Sequence, residues 1–104
     1  KKDMIKVSGE IVYSFEVENV LLNHPAIQEA AVVGMPDKLR GEIVKAFVVL
    51  KKEAQEIRPD DIRSFCRQHL AHFKVPHEVE FKDSLPKTPS GKIQKEKLKV
   101  QEVI

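Results

Sequence analysis

The sequence predicts an α+β domain: an N-terminal β-hairpin and a three-stranded sheet covered by helices. Three observations point there. Two β-branched runs, residues 30–34 and 43–50, stand close together with turn residues between them. A shorter alternating run, "HEVEF", follows a helical stripe. Strands and helices do not alternate as they do in parallel α/β folds.

The elements follow in order. In "MIKVSGEIVY", Ile5 and Val7 precede Gly9, and Ile11 and Tyr13 follow it, which makes two short strands turning at Ser8-Gly9. In "SFEVENVLLNHP", Val17, Val20, Leu21 and His24 recur at helical spacing. Ser14 is placed to cap that helix, Glu16 and Glu18 favour its positive end, and Pro25 stops it. The runs 30–34 and 43–50 are two strands joined by a loop containing Pro36, Asp37 and Gly41. In "RPDDIRSFCRQHLAHF", Ile62, Phe65, Cys66, His69, Leu70 and Phe73 form the apolar stripe of an amphipathic helix, with Pro59 in its first turn beside Asp60 and Asp61. "HEVEF" sets Val79 and Phe81 on one face of a third strand and Glu78 and Glu80 on the other. "KEKLKVQEVI" is a short terminal helix.

Composition limits the function. The chain has 104 residues, 41% of them hydrophobic, with no apolar run near the roughly 18 residues of a membrane span, so no transmembrane segment is expected. Residues 1–104 read as one domain. A chain this short buries only about 60 to 65% of its unfolded surface, so a deep enzyme cleft is expected to be shared with another domain. The net charge is +2 and the lysines are scattered among glutamates, not gathered with aromatics, which argues against nucleic acid as a partner. Cys66 is the only cysteine. It excludes an intramolecular disulfide, fits a reducing compartment, and lies on an apolar stripe where thiols are inert. The histidines fall at irregular gaps without carboxylate or cysteine at ligand spacing, and no metal site is expected. The chain starts at Lys1 without methionine or signal-like segment and is expected to be a piece of a longer protein.

"PKTPSGKIQK" carries Lys92 behind Ser90 and Gly91. It is not a phosphate loop of the G-x-x-x-x-G-K-[ST] type, because Pro86 occupies the first glycine position and Ile93 stands where a hydroxyl is required. On chemistry alone, Pro89-Ser90-Gly91 makes a tight surface turn with Lys92 as its solvated tip. Taken alone, the N-terminal Lys1, Lys2 and Asp3 read as linker and Lys6 as an outward strand residue. In Arg40-Gly41-Glu42 the glycine lets the chain turn tightly, and a structural ion pair and a ligand contact fit equally well.

Together, "KKDMIKVSGEIVYSFEVENVLLNHPAIQEAAVVGMPDKLRGEIVKAFVVL" and "HFKVPHEVEFKDSLPKTPSGKIQKEKL" resemble the C-terminal lid domain of the adenylate-forming enzymes, over essentially the whole chain. These are the acyl-CoA synthetases and their relatives, the luciferases and nonribosomal peptide adenylation domains. The resemblance implies an ATP-dependent, AMP-forming acid–thiol ligase. Its acid, expected to be a fatty acid, is activated with ATP and Mg2+ to an acyl-adenylate and pyrophosphate, and the acyl group then passes to CoA. ATP, Mg2+ and CoA are bound mainly with a large N-terminal domain, which is the lid's partner.

The resemblance also implies roles. In similar lids the lysine of a "P-x-[ST]-x-[ST]-G-K" turn enters the active site; here it is Lys92, as the catalytic residue, with Ser90 and Gly91 supporting the turn. A flexible ammonium suits the step, because carboxylate and α-phosphate are both anionic and a cation between them offsets charge in the transition state. Lys2 matches the hinge about which similar lids rotate after pyrophosphate leaves. Lys6, Val7, Ser8 and Gly9 match the strand and turn lining the pantetheine arm of CoA, where a glycine-containing turn lets backbone approach closely. "KVSGE" and "SGK" are nearer to the CoA ligases than to peptide adenylation domains, which carry "K-I-R-G" and "N-G-K" segments. Ser14 stands where many relatives have proline, and the arginine that holds the ATP ribose in relatives would precede Lys1, so the fragment alone is expected to be inactive. Two alternatives accompany this reading: the lid of an acyl-acyl-carrier-protein ligase, and a non-catalytic interaction domain of the same fold. The expected location is cytoplasmic.

Overall fold

The computed structural model describes the backbone of residues 3–103 and the side chains of residues 3–99. The expected hairpin is present as β1 (Met4–Val7) and β2 (Glu10–Tyr13), paired antiparallel from Met4↔Tyr13 to Val7↔Glu10. Its two-residue turn has positive φ at both Ser8 (50°) and Gly9 (87°), the handedness that matches the twist of paired strands. The Ser8 N–H donates to the carbonyl of Arg40 at 2.8 Å, which ties this turn to the loop between the next two strands.

The first helix, α1 (Ser14–Leu22), buries Val17 and Leu21, and ends before Pro25 as expected. Ser14 does not cap it. The N-cap is Tyr13, and the Ser14 N–H is satisfied by the carbonyl of Asp3 at 3.0 Å. The Ser14 hydroxyl is buried and accepts a bond from the Lys95 ammonium at 3.2 Å. His24 lies beyond the helix, where its Nδ1 accepts the N–H of Ala26 at 3.0 Å.

β3 (Ile27–Asp37) and β4 (Gly41–Leu50) pair antiparallel over nearly their whole lengths and run longer than the β-branched residues alone predict. Pro36 sits inside β3, opposite Glu42, and is tolerated because β3 is an edge strand with no further neighbour to receive an N–H. β5 (Glu78–Phe81) pairs parallel to β4, from Lys45↔Glu78 to Val48↔Phe81. The hairpin joins the same edge of β4 through Val7↔Gly41, so it continues into the three-stranded sheet and the whole is one five-stranded mixed sheet.

α2 (Pro59–Arg67) begins with Pro59 and has the Asp61 carboxylate accepting the N–H of Arg58 at 2.9 Å. It stops sooner than its apolar stripe: Leu70 and Phe73 still pack against the core, from a loop and from a separate 3-10 turn at His72–Lys74. α3 (Lys95–Val103) is the last element among the described residues.

The sheet is covered on both faces, which explains why β3 and β4 read as continuous apolar runs without clean alternation. Ala30, Val32, Val44, Ala46 and Val48 face α1 and α2, meeting Val17, Leu21, Ile62 and Cys66. The alternate residues Ala31, Val33, Phe47 and Val49 face the other way and meet Leu85, Ile93 and Leu98 of the C-terminal segment. Burying each Val, Leu, Ile or Phe among them contributes about 1.5–3 kcal/mol, and each Ala less.

Candidate functional site

Lys92 sits on a miniature hairpin. Lys87 and Ile93 form an antiparallel bridge, and the N–H of Gln94 donates to the carbonyl of Pro86 at 2.8 Å. Within the tip, the Thr88 N–H donates to the Lys92 carbonyl at 2.8 Å, and the Gly91 N–H to the Thr88 carbonyl at 2.9 Å. Thr88 Oγ1 accepts the Lys92 N–H at 3.1 Å and lies 3.0 Å from Ser90 Oγ. Gly91 has φ of 96°, a backbone state that a side chain would strain. The Lys92 side chain is exposed and, among the described residues, forms no ion pair or hydrogen bond. Ser90 and Gly91 both lie in this turn. Thr88 went unnamed in the sequence reading although its hydroxyl makes more of the turn's bonds; the first [ST] of the "P-x-[ST]-x-[ST]-G-K" pattern was the available signal.

Lys6, Val7, Ser8 and Gly9 form the end of β1 and its turn. Lys6 points outward, while its backbone N–H donates to Glu42 Oε1 at 2.8 Å. Val7 turns its side chain into the core at 4% exposure, so it offers a ligand mostly backbone. Ser8 and Gly9 are exposed at the turn. Lys2 lies outside the described residues.

A groove of about 420 Å³ opens beside this turn, with Val7 and Ser8 on one wall. Its other lining residues include Arg40, Arg63, Arg67, His72 and His77, against one carboxylate, Glu10. Arg63 is fixed by its Nε donating to the carbonyl of Pro76 at 2.9 Å, and Arg67 by an Nη1 bond to Ser64 Oγ at 3.2 Å. Arg40 pairs with Asp37 at 3.2 Å and not with Glu42 across Gly41; the Glu42 carboxylate instead takes the Lys6 N–H, and Arg40 also faces the groove. The backbone N–H of Arg40 holds the Asp37 carboxyl below its ordinary value, with the Arg40 guanidinium adding to the effect. Burial pushes the His77 imidazole below its ordinary value, and the charges of Arg40 and Arg63 push it further. His77 Nδ1 accepts the Val44 N–H at 3.2 Å, which requires the unprotonated nitrogen. The groove is thus a cationic concavity suited to phosphate groups. Sequence reading missed it because its basic residues come from five separated positions and form no run.

The turn and the groove belong to opposite faces of one sheet. Ile93, at the root of the Lys92 turn, packs with Phe47 and Val49 on one face. Val7, Phe73 and Val75 of the groove pack with the cluster on the other.

Burial pushes the Cys66 thiol up to about 11, and it takes no part in either place. Among the described residues, no group of three or more His, Cys, Asp or Glu side chains is arranged to hold a metal ion. No helix among them is long and apolar enough to cross a membrane.

Known proteins share this sequence and fold. The family model described as AMP-binding enzyme C-terminal domain matches residues 16–92. The chain is 52% identical over 103 residues to an acetyl-coenzyme A synthetase of Bacillus subtilis, covering 97% of this chain and 18% of that protein. It is 48% identical over 99 residues to a long-chain-fatty-acid–CoA ligase of Salmonella typhimurium, covering 95% and 17%. Among solved structures, an acyl-CoA synthetase of Brucella canis superposes with a TM-score of 0.90 at 45% identity, covering 97% of this chain and 19% of that one. The amide bond synthetase McbA of Marinactinospora thermotolerans does so with 0.90 at 44% identity, covering 96% and 20%. The chain therefore spans less than a fifth of the length of the curated relatives quoted. It belongs to the family of AMP-binding enzyme C-terminal domains.

Proposed function

We propose that residues 1–104 are the mobile C-terminal lid of an AMP-forming acid–CoA ligase. The observation that carries this reading is the placement of an exposed lysine turn and a cationic groove on opposite faces of one sheet. A domain built this way presents one face or the other to a shared site by rotating, with Lys2 as the hinge residue.

In the first half-reaction, the acid's carboxylate oxygen attacks the α-phosphorus of ATP, the bond to the β-phosphate oxygen breaks, and pyrophosphate leaves. Lys92 stands between the two anions as they approach and offsets the charge on the pentavalent phosphorus. In the second, the CoA sulfur, having lost its proton, attacks the acyl carbonyl carbon and AMP departs with the bonding pair. Here Lys6, Val7, Ser8 and Gly9 line the thiol arm with backbone and small side chains, while Arg40, Arg63 and Arg67 hold the phosphates of CoA. Mg2+, which one or two carboxylates and the phosphates suffice to hold, and most contacts to ATP are assigned in this reading to the remainder of a longer chain, the lid's partner.

Similarity to a long-chain-fatty-acid–CoA ligase supports a fatty acid as substrate, and similarity to an acetyl-coenzyme A synthetase supports a short acid. A second reading, an acceptor other than CoA, draws support from the likeness to an amide bond synthetase. The groove favours CoA, because several cations suit a polyphosphorylated nucleotide better than the single phosphodiester of a carrier-bound arm. ATP, CoA and a free thiol at Cys66 are all compatible with the cytoplasm.

The test is product analysis. The full-length enzyme, given carboxylic acids of graded chain length with ATP, Mg2+ and CoA, is expected to release AMP and pyrophosphate and to consume one thiol per AMP. Release of ADP, or AMP formation that consumes no thiol, contradicts the proposal.

A further inference from the structure

We infer that Lys95 is a positioning residue, a clamp that holds the Lys92 turn in register with the chain just after Lys2. The inference rests on the lid reading above. Lys95 opens α3, three residues beyond Lys92, and its ammonium reaches three acceptors. Nζ lies 2.8 Å from Glu18 Oε2, 3.0 Å from Asp3 Oδ2 and 3.2 Å from Ser14 Oγ. Three donors meeting three oxygens leave none of the ammonium's protons unused.

The placement of these oxygens gives the contact its meaning. Glu18 and Ser14 belong to α1, which covers one face of the sheet, whereas α3 buries Leu98 against the other. The link therefore wraps around the open edge at β3, where Glu18 Oε2 also accepts the N–H of Val32 at 2.9 Å. Asp3 follows Lys2 directly. It is held with φ of 45°, unusual for a residue with a side chain, by its carbonyl to Ser14 N–H and its carboxylate to Lys95.

An exposed pair such as Lys95–Asp3 is worth little alone, with Asp3 at 62% exposure. Lys95–Glu18 is shielded at 21% and 20%, and removing the lysine leaves two carboxylates facing each other across one site. The Lys92 hairpin then keeps an ion pair only at its first leg, where Lys87 pairs with Glu29 at 2.8 Å, and its second leg rests on the packing of Ile93 and the bridge to Lys87. That second leg, Ile93 and Gln94, runs straight into Lys95. A reacting group displaced by about 1 Å loses on the order of 100-fold in rate, so the clamp acts on the step that uses Lys92.

The experiment compares Lys95→Met, Lys95→Arg and Asp3→Asn with wild type in the full-length enzyme. ATP–pyrophosphate exchange is followed, and thioester formation from supplied acyl-adenylate is followed separately. Lys95→Met is expected to lower kcat for exchange roughly 10- to 100-fold with KM for ATP little changed, and to leave thioester formation at the wild-type rate. Lys95→Arg restores exchange, Asp3→Asn gives a smaller loss in the same direction, and amide hydrogen exchange over residues 86–95 quickens in Lys95→Met. Parallel loss of both half-reactions with a lowered Tm, or no loss in either, overturns the inference. Lys92→Ala run alongside separates the two claims. Unchanged exchange in Lys92→Ala sinks the lid reading and the clamp with it, whereas exchange that depends on Lys92 but not on Lys95 sinks the clamp alone.

Discussion

Thr88 and Lys92 are bonded to each other twice: the Thr88 N–H donates to the Lys92 carbonyl at 2.8 Å, and the Lys92 N–H donates to Thr88 Oγ1 at 3.1 Å. The lysine thus rides on a closed and ordered turn although its side chain is in solvent. A long flexible side chain on a fixed base is what a group needs if it is to enter a site with the lid and leave with it.

Thr88→Val tests that base. The change keeps the branch at Cβ and removes the oxygen that takes the Lys92 N–H and meets Ser90 Oγ. A hydrogen bond of this kind contributes about 1 kcal/mol, so adenylation is expected to fall roughly fivefold. Thr88→Ser is expected to retain the rate, and Tm to move little in either variant because no core contact is lost. Pyrophosphate exchange and thermal melts of the two variants check this.

The groove makes a separate prediction. Arg67 is exposed and, among the described residues, bonds to Ser64 on its own helix, so Arg67→Gln removes a charge without disturbing the core. A charge-assisted bond to phosphate is worth about 1.5–3 kcal/mol, and KM for CoA is expected to rise roughly tenfold or more while adenylation is unchanged. The difference from wild type shrinks as salt is added. Thioester formation measured against CoA concentration at two ionic strengths decides it.

His77 sets a pH dependence whose sign follows from its surroundings. Burial first, then Arg40 and Arg63, hold its folded pKa below the ordinary 6.5. The unfolded chain therefore binds more protons between the lowered folded value and 6.5. The stability His77 contributes is complete above 6.5 and is lost as pH falls from 6.5 through the folded value. Phosphate groups bound at Arg40 and Arg63 offset those charges, so CoA is expected to raise the His77 midpoint toward 6.5. Titration of the ring C–H resonances by NMR, with and without CoA, tests both statements; a midpoint above 6.5 without ligand contradicts them.

Much of the fold is legible in the sequence because its signals are local. Ser8-Gly9 announces a two-residue hairpin, Pro59 with its two aspartates announces a helix start, and "HEVEF" alternates over one strand. Contacts between distant segments are not local and stayed hidden. Nothing in "KVSG" or "LRGE" tells that Val7 pairs with Gly41, nor in "HEVEF" that it lies parallel to β4. Ser14 reads as a cap by its position before an apolar stripe, whereas in the fold its hydroxyl meets Lys95, far along the chain. The candidate site divides in the same way. The Lys92 turn is one continuous segment and is recognisable as such, whereas the groove gathers Arg40, Arg63, Arg67, His72 and His77 only once α2 has packed beside β5 and the hairpin has joined β4.

The most direct test is Lys92→Ala in the full-length enzyme, with ATP–pyrophosphate exchange and thioester formation from supplied acyl-adenylate measured in the same preparation. The account predicts that exchange falls by on the order of 100-fold or more while thioester formation continues at the wild-type rate. Exchange that continues undiminished contradicts it, and would make Lys92 the solvated tip of a surface turn.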